Sequence, residues 1–301
     1  MEIKTYLNEQ RLVIERALEH SMLTTEVEHG IFAHHIEAMR YSLFVGGKRV
    51  RPILCLAAGQ AIGMRPAPDT VLLPIACALE CIHTYSLIHD DLPAMDNDDL
   101  RRGKPTSHIL YGEAGAILAG DGLLTWAFDL LSNSEQNTLL PEKRLKIINL
   151  IARAAGSLGM VGGQALDIAY ENKEFPFETL RAIHRSKTGA LITASILAGA
   201  IAAGADQKQQ EALTRYGEQV GLAFQIVDDL LNVTATTEQL GKAAGSDANK
   251  GKATYPAFFG IETTSEKAEN AVQEALNALV LFDEKAAPLR AIARYILTRS
   301  N

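Results

Sequence analysis

The chain has 301 residues, 36 acidic and 29 basic side chains for a net charge of −7, and 47% hydrophobic residues. That apolar content is ample for a large buried core, and the acidic balance excludes non-specific nucleic-acid binding, which needs a basic face to displace counterions from phosphates. No Ser/Gly/Pro-rich linker, low-complexity run or fixed-period repeat divides the sequence, so one domain over residues 1–301 is expected.

From the N-terminus, Met1 to His20 mixes Glu2, Lys4, Glu9, Arg11, Glu15 and Arg16 with apolar residues. It reads as an amphipathic helix and lacks the apolar core of a signal peptide. Gly46-Gly47-Lys48-Arg49-Val50-Arg51-Pro52 then sets three cations beside a turn that permits close backbone approach, where a diphosphate can dock; taken alone, a basic loop this short is more often simply solvated. Cys55, Cys77 and Cys81 are an odd number in a long chain, which is no disulfide scaffold and points to a cytoplasmic location. Cys77 and Cys81 share a helix face, but no matching Cys or His pair completes a metal site, so buried thiols are expected. Gly63 and Arg65-Pro66-Ala67-Pro68 form a loop.

Pro74 fits the first turn of a helix running through His89 and Asp90, which Pro93 discourages from continuing. His83, Ser86 and Asp90 fall on one face of it. Asp96 lies six residues beyond Asp90, which is not a same-face spacing, so the Pro93 segment must bulge or unwind to bring those carboxylates together. Leu145, Ile148, Ile151, Ala155 and Leu158 recur at steps of three and four, and strand-like alternation is scarce throughout. An all-α bundle of about ten or more helices follows from typical helix lengths. Lys187-Thr188-Gly189 marks a helix irregularity. Ala190 to Ala205 is the most membrane-like stretch, but it is Ala/Gly-rich, contains Thr193 and Ser195, and falls short of the roughly 20 apolar residues of a span, so it reads as a buried helix. A further helix carries Gly221, Phe224, Gln225, Asp228 and Asn232 at same-face spacings, and a Gly-rich stretch with Lys242, Lys250 and Lys252 follows.

Two acidic segments, Asp90-Asp91 with Asp96 and Asp228-Asp229, therefore interrupt apolar helices. Close carboxylate pairs repel by roughly 1 to 4 kcal/mol between water and protein-surface dielectrics, and burial adds to that. A hard divalent cation removes the penalty; magnesium is usually shared between one or two carboxylates and a substrate phosphate. The bland alternative, a solvated acidic turn continued by Asn97, Asp98 and Asp99, is weakened by the recurrence of the pattern on a second apolar helix. Arg101 and Arg102 can contact phosphate oxygens bidentately or only balance local charge. His83 can donate to a phosphate or serve as a hydrogen-bonded core histidine. His34, His35 and His89 have no assigned role.

These residues resemble the trans-isoprenyl diphosphate synthases, most closely the bacterial farnesyl diphosphate synthases. The resemblance runs in family order through Gly46 to Pro52, Glu80 to Gly103, Ala119-Gly120-Asp121, Gly162-Gly163-Gln164-Ala165-Leu166-Asp167, Lys187-Thr188-Gly189, Phe224-Gln225 to Asn232, and Gly251-Lys252-Ala253-Thr254-Tyr255-Pro256. The four residues between Asp91 and Asp96 look like the bacterial short-chain form. The resemblance implies the all-α isoprenoid synthase fold, a large helical bundle around a deep central cavity, and a homodimer. It implies three magnesium ions per active site with substrate bound, held by Asp90, Asp91, Asp96 and Asp228, with Asp229 completing the second acidic pair among the catalytic residues. Arg101, Lys187, Lys242 and Lys252 then hold the allylic diphosphate, with Thr188 and Gln225 offering dipoles near an allylic cation. Lys48, Arg51, His83 and Arg102 bind isopentenyl diphosphate, and the released diphosphate takes the final proton.

One position departs from the family pattern: the second motif commonly ends in aspartate, whereas here it ends in Asn232, which offers a neutral oxygen but no charge. Tyr85 and Ser86, just before Asp90, are expected to set product length, with Tyr85 as the cavity floor favouring a C15 product. Geranyl or geranylgeranyl diphosphate synthase is the nearest alternative. A terpene cyclase needs no second diphosphate site, so Lys48, Arg51 and His83 stand against it. A non-catalytic partner subunit and a metal phosphohydrolase built on His89-Asp90 complete the alternatives.

Overall fold

The long Ala/Leu/Ile-rich stretches fold as helices because their apolar stripes recur at helical period and few β-branched runs interrupt them. The computed structural model describes residues 2–23, 30–64, 71–133, 138–234 and 253–299. Lys242, Lys250 and Lys252 lie outside the described residues. The helices are α1 (Ile3–Leu23), α2 (Ala33–Phe44), α3 (Val50–Ile62), α4 (Leu72–Asp90), α5 (Ser107–Ser132), α6 (Pro141–Ala155), α7 (Met160–Ala169), α8 (Phe177–His184), α9 (Ala190–Ala203), α10 (Gln207–Thr234), α11 (Tyr255–Ala278) and α12 (Ala287–Thr298).

α3, α4 and α9 are apolar on nearly every face and form the centre, since a helix hydrophobic all round must be surrounded by other helices. α3 packs on both α9 and α4, α5 covers α4, and α10 lies against α9 and α11. The buried apolar residues join into one contiguous cluster from Tyr6 in α1 to Ile296 in α12. The three cysteines are free and buried within it, and burial pushes the Cys77 thiol up to about 12, so they act as small apolar side chains.

Two features differ from the sequence reading. A short antiparallel hairpin, β1 (Leu100–Arg101) and β2 (Lys104–Pro105), follows α4. Its turn residues Arg102 and Gly103 both have positive φ, 55° and 72°, as a two-residue hairpin turn requires. Second, the apolar stretch from Ala190, buried as expected, is part of a run longer than the sequence reading gave it: α8 continues through a π-helical turn, Arg185–Gly189, into α9. By length and composition alone, Phe177–Ala203, Leu72–Asp90, Ser107–Ser132 and Pro141–Ala169 are each long and apolar enough to cross a membrane. In the fold these stretches pack on one another, and 67% of the Leu72–Asp90 window is buried inside the protein.

The α3–α9 crossing depends on Gly199, where an added Cβ would stand 2.0 Å from the carbonyl oxygen of Cys55. Backbone cannot yield as a flexible side chain does. Gly199→Ala is expected to destabilise the protein by about 1–3 kcal/mol, the usual cost of overpacking, read as a lower Tm with an unchanged fold by circular dichroism.

Candidate active site

α4 ends where the sequence requires, and the chain then folds back on itself. The Asp91 N–H donates to Leu87 O at 3.1 Å, Met95 N–H to Leu92 O at 2.9 Å, and Asp96 N–H to Asp90 O at 2.8 Å. This last bond, spanning six residues, is the bulge that brings Asp96 to Asp90, and Asn97 at φ 53° turns the chain away. Asp90 is pushed up from an ordinary 3.8 to about 6, chiefly by burial; Asp96 and Asp91 raise it further, while Lys187 and Arg101 pull it down.

Asp91 points elsewhere. Arg101, on β1, grips it with a fork: Nε donates to Oδ2 at 2.8 Å and Nη2 to Oδ1 at 2.6 Å. Asp91 is 4% exposed and Arg101 30% exposed at the side chain, so the guanidinium has one edge on the carboxylate and another toward solvent. The hairpin that aims Arg101 is pinned at its base: Thr106 Oγ1 donates to Asp98 O at 2.8 Å, and Tyr41 of α2 donates its hydroxyl to Pro105 O at 2.7 Å.

On α10 the second acidic pair splits between two roles. Asp228 is half-exposed at the side chain, whereas Asp229 is buried, accepting the Tyr255 N–H at 2.8 Å and lying 4.0 Å from His184 Nε2. Asp229 thus ties α10 to the start of α11, with the His184 ring stacked on Tyr255 at 5.6 Å. Asn232 is buried too, 5% exposed, where a neutral amide costs less than a carboxylate. Asp228 meets a cation that sequence reasoning missed. Arg299, just past α12, stacks over Phe224 at 4.0 Å and donates through Nη2 to Phe224 O at 2.9 Å and to Asp228 Oδ1 at 3.4 Å. Contacts across some 70 residues leave no local signal in the sequence.

Lys187 lies in the π-helical turn, where Nζ donates to Asp167 Oδ2 at 2.7 Å on α7. The approach of α7 to this turn needs Gly163, because a Cβ there would stand 2.2 Å from Lys187 N. Thr188 shares the turn, and Gln225 sits one helical turn before Asp229 on α10. Lys187 acts on Asp90 and on His184, and His184 in turn senses Asp228. Both acidic segments therefore share one electrostatic neighbourhood.

The basic residues Lys48, Arg51, His83 and Arg102 act on one another. Lys48 is depressed by burial and by Arg299 and Arg102, and raised by Asp228, so it connects the Gly46–Gly47 turn to the second acidic segment. Burial lowers Arg51 to about 10. His83 is held well below 6.5 by burial and by Arg51, Arg102, Arg101 and Arg49, so it is a neutral imidazole. Arg102 packs on the turn, its Nη1 2.8 Å from where a Gly47 Cβ would stand. His89, with no role in the sequence reading, places Nε2 3.0 Å from Ile117 O and its ring 5.7 Å from Tyr85; Gly120 leaves the room it occupies.

The polyprenyl synthetase family model matches residues 33–287. The chain is 46% identical over 301 residues to the farnesyl diphosphate synthase of Geobacillus stearothermophilus, covering 100% of this chain and 99% of that one. It is 47% identical over 298 residues to the geranylgeranyl diphosphate synthase of Cyanophora paradoxa, covering 99% and 96%. The chain belongs to the polyprenyl synthetase family. Its fold matches the crystal structure of an FPP/GFPP synthase from Zymomonas mobilis, with a TM-score of 0.86 at 38% identity over 98% of each chain, and is the all-α isoprenoid synthase fold. As a polyprenyl synthetase the chain is a trans-prenyltransferase of isoprenoid biosynthesis.

Polyprenyl synthetases are generally Mg2+-dependent, and the donor set fits a hard cation. Asp90 is a partly buried carboxylate destabilised by a carboxylate neighbour, and it is not satisfied by a fork as Asp91 is. No cluster of three or more His, Cys, Asp or Glu side chains is gathered for a metal among the described residues. The candidate donors belong to two separate segments, and Asp91 and Asp228 pair with protein cations.

The raised Asp90 makes the metal-free protein pH-sensitive. Because its folded pKa of about 6 exceeds the unfolded value, its contribution to stability is complete below about pH 4 and is lost as pH rises through 6. Asp90→Asn is expected to raise metal-free stability at pH 7.5 by about 2 kcal/mol relative to the parent, with the difference vanishing near pH 4. Urea unfolding in EDTA at both pH values checks this; turnover of the variant is expected to collapse.

Proposed function

We propose that the chain is a farnesyl diphosphate synthase, joining isopentenyl diphosphate to dimethylallyl and then geranyl diphosphate. Relatives of nearly equal identity carry the names farnesyl and geranylgeranyl diphosphate synthase, so identity does not choose the product. The observation that carries the C15 reading is Tyr85. Its ring is 6% exposed, five residues before Asp90 on α4, and is braced edge-on by a His89 that α5 holds in turn. A hydrocarbon tail growing down from Asp90 meets a ring with little freedom to move aside. Ser86, on the Asp90 face, is small and turns its hydroxyl to His83 O at 2.8 Å.

Asp90, Asp96 and Asp228 would hold magnesium, with Asp91 sharing its carboxylate with Arg101. When bound, the metal supplies Lewis-acid stabilisation of the leaving diphosphate. Arg101 and Lys187, with Lys242 and Lys252, hold that diphosphate through departure. Asp91 and Asp167 aim the first two. Thr188 and Gln225 turn dipoles toward the allylic cation. Lys48, Arg51, His83 and Arg102 hold isopentenyl diphosphate by its charge and present the alkene to the cation, His83 as a neutral N–H donor. The departed diphosphate removes the proton that completes the new double bond. Asp229 serves by anchoring α10 to α11.

Residues 1–301 are read as one domain, and a homodimer is read from α5, which leaves Ile109, Leu110, Ile117 and Leu118 on its outer face between 42% and 57% exposed. The buried thiols fit a cytoplasmic setting. Geranylgeranyl diphosphate synthase is the second reading, kept beside the first by the near-equal identity of the Cyanophora paradoxa relative.

A mass-spectrometric assay with magnesium, isopentenyl diphosphate and dimethylallyl diphosphate, with and without EDTA, is expected to give a magnesium-dependent C15 diphosphate. A C20 product would replace the farnesyl reading with the second one, and absence of condensation by folded protein would remove both. Tyr85→Ala is expected to lengthen the product and Ser86→Phe to shorten it; unchanged distributions in both would take these residues off the cavity floor.

A further inference from the structure

Beneath the isopentenyl diphosphate site lies a buried carboxylate that no step above uses. Glu80 precedes His83 by one turn of α4 and is 1% exposed. Its Oε1 accepts from Arg49 Nη1 at 2.6 Å. Arg49 is itself 2% exposed and donates through Nη2 to Leu43 O at 2.6 Å, so both ends of its guanidinium are committed inside the protein. Although it stands between Lys48 and Arg51 in sequence, Arg49 is not free to meet a ligand.

The backbone gives this pair its meaning. Arg49 has φ 52°, in the left-handed region that a non-glycine residue adopts only when its surroundings hold it there. The preceding Gly46 and Gly47 also have positive φ, so the turn has no intrinsic stiffness of its own. What fixes it is the Arg49 side chain, hydrogen-bonded to Glu80 of α4 and to the end of α2, with Glu15 of α1 standing 3.7 Å from its Nε. Lys48, one residue before, takes its direction from that anchor, Arg51 is carried on the first turn of α3 immediately after it, and Arg102 packs against Gly47 of the same turn.

Electrostatics leads to the same residue. Arg49, Arg51, Arg101 and Arg102 all act on His83, and so many cations in one place repel one another before any diphosphate arrives. Glu80 is the carboxylate whose field reaches both Arg51 and Arg102. A carboxylate beside an anion site opposes the anion, so its value there lies in holding geometry. The network is also incomplete: Glu80 Oε2 and Arg51 Nε are buried without hydrogen-bond partners among the described residues.

We propose that Glu80 is the positioning residue of the isopentenyl diphosphate site, locking the Gly46–Arg49 turn and the start of α3 through Arg49 so that Lys48, Arg51 and Arg102 face one diphosphate. The inference rests on the reading of Lys48, Arg51, His83 and Arg102 as that site.

The test uses the full chain with Glu80→Gln, Arg49→Lys and, as a control on the site itself, Arg102→Gln. Isopentenyl diphosphate binding is measured by calorimetry, KM for each substrate by steady-state kinetics, and folding by Tm. Glu80→Gln keeps an acceptor but loses the ion pair; Arg49→Lys keeps the net charge but cannot bridge Glu80 and Leu43 O. Both are expected to weaken isopentenyl diphosphate by about tenfold or more, as small misplacements of binding groups do, with the allylic KM and saturated kcat within about twofold. Unchanged or tighter binding in Glu80→Gln overturns the proposal, because a field effect alone predicts tightening. Equal losses on both substrates overturn it in favour of a general structural role. Should Glu80→Gln not fold, Arg49→Lys decides on the same criteria. If Arg102→Gln leaves isopentenyl diphosphate binding unchanged, the reading of the site fails first and the inference falls with it.

Discussion

The rest of the site depends on the carboxylate at the end of apolar α4, where partial burial and a like-charged neighbour penalise its ionised form. Asp90 terminates a helix whose other faces are buried against α3 and α5, and the six-residue fold-back after it adds Asp96 to the same place. Burial raises the free energy of the ionised form, and a like-charged neighbour raises it again. A site of this kind is unstable by design without cations. The arrangement of α7, the π-helical turn, the β1–β2 hairpin and the last turn of the chain can be understood as ways of bringing positive charge to it.

Three cations are already in place. Arg101 is forked on Asp91, Lys187 is held by Asp167, and Arg299 reaches Asp228. The first two are each held by a carboxylate, which fixes a long side chain and reduces the entropy it has left to lose. Arg299 differs, since it is held not by a carboxylate behind it but by the Phe224 ring and carbonyl, from which it reaches Asp228. The close approaches that make these placements possible fall on glycines: Gly163 under Lys187, Gly47 under Arg102, Gly120 under His89.

Much of the site is legible from local pattern. The run from Pro74 to Pro93 fixes where α4 starts and stops, the three-and-four spacing sets His83, Ser86 and Asp90 on one face, and the mismatch at Asp96 demands the fold-back that the Asp96–Asp90 bond supplies. The irregularity at Lys187-Thr188-Gly189 is a π-helical turn. What local pattern misses is partnership. Asp91 and Asp90 look alike in sequence, yet one is forked by Arg101 and the other carries no such fork. Asp228 and Asp229 look alike, yet one faces outward and the other closes a joint between two helices. The β1–β2 hairpin left one faint trace, the Arg102-Gly103 pair suited to a two-residue turn, and strands of two residues carry no alternation to read.

The sequence by itself determined the helical class, the ends of the key helices and the residue types of the chemistry, because helical period, proline placement and carboxylate pairs act over a few residues and are written where they act. Only the tertiary structure decided which charge each acidic or basic residue meets. Arg49 with Glu80, Arg299 with Asp228 and Asp229 with Tyr255 are joined across 31, 71 and 26 residues. Such pairings depend on how helices pack, and packing is decided by the whole apolar surface at once, so no short stretch of sequence contains it.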